Sequence, residues 1–239
     1  MKNFMGLVLI VLFVATSKAT AETKSEEAYK LASQTLLDTF SQDISLQQSK
    51  LIIENHWDDN ALNGFAEREG PLWKIESYGG LYRSSIITQD GYMAFLCHEL
   101  GHHIGGAPFK PDILWMSSEG QADYFAASMC LKRLWKNESN QQIIELQTVP
   151  KSLLQICQRS SIDQDALALC VRIGLAAFSF VEFNRIEHGY ASENTFVQFD
   201  SPAKYAADRY FVYPRAQCRL DTFVAGMTGA DRPLCWYIP

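Results

Sequence analysis

The chain has 239 residues, of which 47% are hydrophobic and 20% are charged, and its formal net charge at pH 7 is −6. This length and apolar content suit one globular domain with its own core, and no repeat, low-complexity tract or long Pro/Gly/Ser linker indicates a second one. The acidic balance argues against nucleic acid or an anionic membrane surface as a partner.

The N-terminal segment has the features of a secretory signal peptide. Lys2 gives a basic start, residues 4–14 are all apolar, and Ala19-Thr20-Ala21 has the small-x-small pattern of a cleavage site. The apolar run of about eleven residues is too short to span a bilayer, which needs about 20. We therefore predict a signal peptide over residues 1–21, a mature domain over residues 22–239 without stable membrane insertion, and a periplasmic or secreted location. An uncleaved anchor is the alternative.

The pattern of apolar residues predicts the order of the elements. A helix is expected over about residues 25–55, short strands as far as about Thr88, and helices for most of the remainder. The predicted class is α+β, a mostly helical single domain with a small sheet before its central helix. Residues 81–87 are expected to be the last extended piece of that sheet, and an extended peptide can pair with such a strand as an added strand.

The stretch Cys97-His98-Glu99-Leu100-Gly101-His102-His103 contains an H-E-x-x-H motif. Residues four apart lie on one face of a helix, so His98 and His102 can present two imidazoles to one metal ion. Glu99 is the candidate general base, because it can take a proton from a metal-bound water and pass it to the leaving amine. His103 lies about 100° round the helix and is not expected to bind. The alternative is a surface helix with solvated side chains.

A catalytic zinc ion takes three protein ligands and a water, so a third ligand is needed. In the longer form of the motif a third His follows Gly105, but Pro108 occupies its position and cannot bind metal. Glu119, in Ser118-Glu119-Gly120-Gln121-Ala122-Asp123, is the remaining candidate. We predict Glu119 as the third ligand of one Zn²⁺ ion, and Asp123 as the acceptor that fixes the tautomer of a ligand imidazole. The alternative for Asp123 is an exposed charge.

Capping signals support a helical setting for both segments. Asp90 is predicted as the N-cap of a helix over residues 91–104. Ser118, with Gln121 three residues on, predicts a capping box that starts a second helix at Glu119.

The six cysteines all lie in the mature domain, and an even number in an exported chain predicts disulfides. Cys97 adjoins His98, which leaves metal binding as an alternative for it, but it is off the histidine face and an oxidising compartment favours pairing. The expected pairs are Cys157 with Cys170 across a break between two helices, Cys218 with Cys235, and Cys97 with Cys130.

The C-terminal third contains one long apolar segment and several candidates for a supporting catalytic role. Residues 166–181 are apolar apart from Arg172 and two small polar residues, which suits a buried helix better than a membrane span. The oxyanion of a tetrahedral intermediate needs a donor, for which Tyr213, Arg219 and His188 are candidates. Alternatively, Tyr213 packs in the core, Arg219 pairs with Asp221 or another carboxylate, and His188 ends a helix.

The H-E-x-x-H and E-x-x-x-D motifs resemble those of the gluzincin peptidases, in particular the CAAX prenyl proteases and their soluble periplasmic bacterial relatives. Residues 60–66 (NALNGFA) are similar to the N-A-x-A strand of that family, and residues 213–219 (YPRAQCR) resemble its late H-P-x-x-x-x-R element, with Tyr213 in place of the His. The resemblance covers residues 55–135 well and residues 200–225 weakly.

The resemblance implies a zincin-like fold in which the strand before the active helix borders the cleft, and it favours Tyr213 and Arg219 for the oxyanion. It implies a zinc-dependent endopeptidase that acts on exported proteins or peptides. A zinc-binding periplasmic chaperone or scaffold with little proteolysis and a peptidoglycan amide hydrolase are the alternatives. None of these features predicts an oligomeric state.

Overall fold

The computed structural model describes residues 24–187, 196–203 and 214–237, so the predicted signal peptide, His188 and Tyr213 lie outside the described residues. The described part is mixed α+β, mostly helical with two small sheets, which confirms the predicted class. In chain order the elements are α1 (Glu26–Ser45), β1 (Lys50–His56), β2 (Gly64–Glu69), β3 (Leu72–Tyr78), α2 (Gly79–Arg83), α3 (Gln89–Ile104), β4 (Phe109–Lys110), β5 (Ile113–Ser117), α4 (Glu119–Phe125), a π-helical turn (Ala126–Cys130), α5 (Leu131–Trp135), α6 (Asn140–Glu145), α7 (Lys151–Ser160), α8 (Gln164–Glu187) and α9 (Ala216–Thr228).

The first helix is shorter than predicted, because the residues that follow it pair with a distant strand. Ser25 caps α1 by accepting a hydrogen bond from the Ala28 amide, and the helix ends at Ser45. Residues 50–56, expected to be helical, instead form β1 and pair in parallel with β3 along their whole length. Because β3 is more than twenty residues further along the chain, a local pattern did not indicate this pairing.

The three-stranded sheet has the order β1-β3-β2, with β2 antiparallel to β3 at one edge. The expectation of an extended segment at residues 81–87 was wrong at its start, because residues 79–83 form α2. Leu81 and Tyr82 are buried there, and the Arg83 guanidinium donates to the carbonyl of Trp57 and to Asn60. Of this sheet, the edge strand β2 and the central strand β3 both contact the central helix.

The N-cap of the central helix α3 lies two residues before the predicted one. Thr88 is the N-cap, and its hydroxyl accepts from the Gly91 amide at 2.9 Å. Asp90 instead binds Arg172 of α8 through two hydrogen bonds of 2.8 and 2.9 Å. Both residue types can cap a helix, but the buried Arg172 guanidinium binds the Asp90 carboxylate, which leaves the cap to Thr88.

The start of α4 is as predicted, since Ser118 is the N-cap and accepts from the Gln121 amide. Only this half of the capping box forms. The Gln121 side chain does not return to the Ser118 amide, which bonds to the carbonyl of Pro108. The Gln121 side-chain amide donates instead to the carbonyl of Gly105 at 2.6 Å, so it links the end of α3 to the start of α4.

The segment at residues 166–181 lies within α8, a core helix that packs against α3 and α9. By length and composition α8 is the one helix in the described ranges that is able to cross a membrane, but 67% of its most apolar window is buried inside the protein. This supports the predicted assignment to the core.

The three predicted disulfides are all present. They join Cys97 to Cys130, Cys157 to Cys170 and Cys218 to Cys235, and no cysteine in the described residues is free. Cys97 is therefore not available as a metal ligand. Its bond to Cys130 instead links α3 to the π-helical turn that follows α4.

Candidate metal centre

The candidate centre lies where α3 crosses α4. Gly101 allows this crossing to be close, because a Cβ at Gly101 would lie 2.8 Å from the Cα of Ala122. His98, Glu99 and His102 project from α3, while Glu119 and Asp123 project from the first two turns of α4. All five side chains are buried.

The imidazoles and carboxylates converge on one point. Donor atoms of His98, Glu99 and His102 lie within 4.8 Å of one another, and this buried group could hold a metal ion. Glu119 reaches the same point, with its Oε2 3.2 Å from His98 Nε2 and its Oε1 3.6 Å from His102 Nε2. Glu119 Oε2 is buried without a hydrogen-bond partner. A cation would satisfy that oxygen, so the residues present fit a metal ion.

Hydrogen bonds on the far side of each ring orient the two imidazoles. His102 Nδ1 donates to the carbonyl of Ser117 at 2.8 Å, which leaves the Nε2 lone pair directed at the centre. His98 Nδ1 lies 2.7 Å from Asp123 Oδ1. These outer contacts fix the ring orientation and tautomer that metal binding requires.

Burial and neighbouring charges shift the pKa values of the group in different directions. Burial lowers the pKa of His102 to about 3. Burial also acts to lower the pKa of His98, but the charge and hydrogen bond of Asp123 outweigh it and raise that pKa to about 9. A metal ion bound to His98 would have to replace a proton of its imidazole. Burial raises the pKa of the Glu99 carboxyl to about 7.

The carboxylates of α4 stay ionised despite their burial. Burial acts to raise the pKa of Glu119, but His102, His98 and Lys110 outweigh it and hold that pKa well below its usual value. Burial also acts to raise the pKa of Asp123, but the charges and hydrogen bonds of Arg219 and His98 outweigh it and lower that pKa. Glu119 therefore offers negatively charged oxygens at the centre, and Asp123 offers a negatively charged acceptor behind His98.

Arg219, predicted near the oxyanion, lies behind His98. Its Nε and terminal nitrogen donate to the two oxygens of Asp123, each at 2.7 Å. The alternative that Arg219 pairs with a carboxylate is therefore confirmed, with Asp123 as that carboxylate, whereas the Asp221 carboxylate accepts from the Ala203 amide and from Gln217. Arg219 also borders the cavity described below, so its predicted role at the oxyanion stays a prediction.

His103 lies outside the centre, as its position on α3 suggested. Its ring stacks between Trp73 and Trp115, with both centroids at 5.3 Å. Nε2 donates to the carbonyl of Lys74, Nδ1 accepts from Arg68, and burial lowers the His103 pKa to about 4. This histidine joins the sheet, α3 and the β4–β5 hairpin.

A cavity of about 330 Å³ opens beside the centre. One side of it is formed by His98, Glu99, His102 and Glu119. Another side is formed by residues 63–66 around the start of β2. The remaining wall is largely apolar and is formed by Leu81, Phe95, Met116, Phe180 and Phe183.

Two groups of cavity residues were missed by the sequence analysis. Lys110 lies in the two-residue strand β4, and its Nζ is 2.6 Å from Glu119 Oε1. Phe180, Phe183 and Asn184 come from α8, about a hundred residues from the other side of the cavity. No motif or spacing marks these residues, because they reach the centre only through the packing of distant elements.

Comparisons of this chain with protein-family models, with curated proteins and with solved structures gave no match. The candidate metal centre is therefore defined by its own geometry.

The contact between Asp123 and His98 leads to a testable expectation for metal affinity. We expect Asp123→Asn to weaken Zn²⁺ binding by about 10–100-fold, because an amide is a poorer acceptor for Nδ1 and leaves Arg219 without its carboxylate. Competitive titration with a chromophoric chelator measures this affinity. Asp58→Asn, at an exposed position, is the matched control and should leave it unchanged. Equal affinities for the two variants would contradict the role of Asp123.

Proposed function

We propose that the protein is a zinc-dependent peptidase that hydrolyses peptide bonds of exported proteins. The observation that carries this proposal is the position of the Glu119 carboxylate, which lies 3.2 Å from His98 Nε2 and 3.6 Å from His102 Nε2, with the carboxyl of Glu99 on the same cavity. Two imidazoles and one carboxylate are a ligand set that suits zinc and leaves a coordination position for water.

The residues of the centre divide the chemistry between them. His98, His102 and Glu119 would hold the ion, which when bound supplies an acidified water and polarises the substrate carbonyl. Glu99 accepts the proton of the attacking water and returns it to the leaving amine. Its buried carboxyl, with a pKa raised to about 7, suits both halves of this transfer near neutral pH. Asp123 and Arg219 keep His98 oriented.

The walls of the cavity support an extended peptide as the substrate. β2 is at the edge of its sheet, and residues 63–66 at its start border the cavity. A peptide that pairs with the open side of β2 would lie along the centre as an added strand. Phe95, Phe180 and Phe183 offer an apolar surface for a side chain next to the cleaved bond.

The cysteines support a location outside the cytoplasm. Three disulfides and no free thiol in the described ranges are typical of proteins that fold under oxidising conditions. Together with the signal peptide predicted from the sequence, they favour a periplasmic or secreted enzyme.

Digestion of casein by the purified mature protein tests the proposal. We expect cleavage that a zinc chelator abolishes and added Zn²⁺ restores. Cleavage that persists after chelation, or no cleavage by the zinc-loaded protein, would contradict it. A parallel incubation with purified sacculi separates the amide-hydrolase alternative, because released muropeptides without casein fragments would identify that reaction.

A further inference from the structure

A second cluster of metal-ligating side chains lies on the outer face of the three-stranded sheet. Glu54 and His56 belong to β1, and Glu76 belongs to β3. Alternate residues of these strands, such as Trp73 and Ile75, are buried in the core, so the three side chains project from the opposite face. Donor atoms of the three lie within 4.8 Å of one another, and each side chain is partly accessible to solvent.

The geometry of the cluster is set by strand pairing. Glu54 and Glu76 are direct partners in the parallel register, and His56 follows Glu54 by two residues on the same face. His56 Nε2 lies 2.6 Å from Glu76 Oε2. The His56 ring also stacks on Tyr78 at a centroid distance of 5.0 Å and an angle of 21°, which holds the plane of the imidazole.

The charges around the cluster favour a cation. Like charges on paired residues of neighbouring strands are destabilising unless something neutralises them. In the described ranges no side chain forms an ion pair or hydrogen bond with Glu54. Lys74, on the same face, pairs with Glu69 at 2.5 Å and interacts with Glu54 through its charge, without a direct ion pair. Desolvation, and then the charges of Glu76, Asp59, Glu54 and Glu67, raise the pKa of Tyr78.

We propose that Glu54, His56 and Glu76 form a second metal site, which binds a divalent transition ion of the Zn²⁺ type. One imidazole and two carboxylates suit such an ion, with water completing its coordination, whereas Ca²⁺ and Mg²⁺ prefer sites built of oxygen alone. The ion bridges β1 and β3 and so stabilises the sheet whose edge strand borders the cavity. This site is separate from the candidate metal centre and does not depend on peptidase activity.

Zinc stoichiometry tests the second site without using activity. The starting protein carries His98→Ala and His102→Ala, which remove both imidazoles of the candidate metal centre. Isothermal titration with Zn²⁺, with elemental analysis after dialysis, should show one bound equivalent. Adding His56→Ala or the near-isosteric Glu54→Gln should weaken that binding by at least roughly 10-fold, because one of three ligands is lost. Glu67→Gln, on the same face, is the matched control and should have a much smaller effect.

Two results would overturn the second site. One is a folded His98→Ala/His102→Ala protein, checked by circular dichroism, that binds no zinc. The other is zinc binding that neither His56→Ala nor Glu54→Gln weakens relative to Glu67→Gln. If the double variant does not fold, the same measurement is made on the chain with intact His98 and His102. We then expect His56→Ala to bind one equivalent of zinc fewer than the unmodified chain. An unchanged zinc count would overturn the site. A failure of the casein assay would leave all these readouts unaffected.

Discussion

Glu99→Gln should lower kcat/KM for peptide hydrolysis by about 10²–10⁴-fold while leaving the bound zinc unchanged. The amide keeps the shape of the carboxyl but cannot accept the proton of the attacking water. In the proposed centre the ligand atoms belong to His98, His102 and Glu119, and this substitution removes none of them. Steady-state kinetics on a fluorogenic peptide, with metal analysis of the same samples, separate these two effects.

A matched control shows whether the loss is specific to the cavity. Glu145→Gln makes the same chemical change at an exposed position of α6 and should retain full activity. If Glu99→Gln cleaves as well as the unmodified chain, Glu99 is not the general base. If it loses zinc along with activity, Glu99 acts as a ligand, which the distances within the group also permit.

Glu119→Ala is expected to weaken zinc binding by more than about 100-fold. This loss is larger than the one expected for Asp123→Asn, because Glu119 is a proposed ligand whereas Asp123 only orients one. The substitution removes both oxygens that face the imidazoles. It also removes the carboxylate that Lys110 contacts at 2.6 Å, so the charge of this half-buried ammonium is less well neutralised close to where the cation would bind. Peptide hydrolysis should fall with the zinc content.

The measurement is zinc retained after dialysis against a buffered range of free Zn²⁺, with circular dichroism to establish that the variant is folded. Glu119→Gln provides a second form of the test, since it keeps the volume and loses the charge. An unchanged metal content in both variants would exclude Glu119 as a zinc ligand. The third ligand beside His98 and His102 would then be a different residue.

Features that depend on neighbouring residues could be predicted from the sequence. The four-residue spacing of His98 and His102 predicts a shared helix face, because the period of a helix is a local property. Ser118 could be assigned as an N-cap for the same reason. The disulfide partners were also predicted correctly, helped by an even number of cysteines and by the helix break between Cys157 and Cys170.

Features that depend on distant contacts could not be predicted in this way. Residues 50–56 have a composition that suits either helix or strand, and their pairing with β3 decided for a strand. Asp90 is a good N-cap by type, but it lies opposite Arg172, which is 82 residues away. Arg219 is close to Asp123 only because α9 packs on α4, and the sequence suggested a place nearer the reacting atoms.

The sequence by itself determined that His98 and His102 share one face of a helix and that Glu119 begins the next helix, since helical periodicity and capping act within a few residues. The tertiary structure alone decided that β2 borders the cavity, that Lys110 contacts Glu119, and that Glu54, His56 and Glu76 come together on the sheet. These contacts join residues far apart in the chain, and their formation depends on the burial of the whole core.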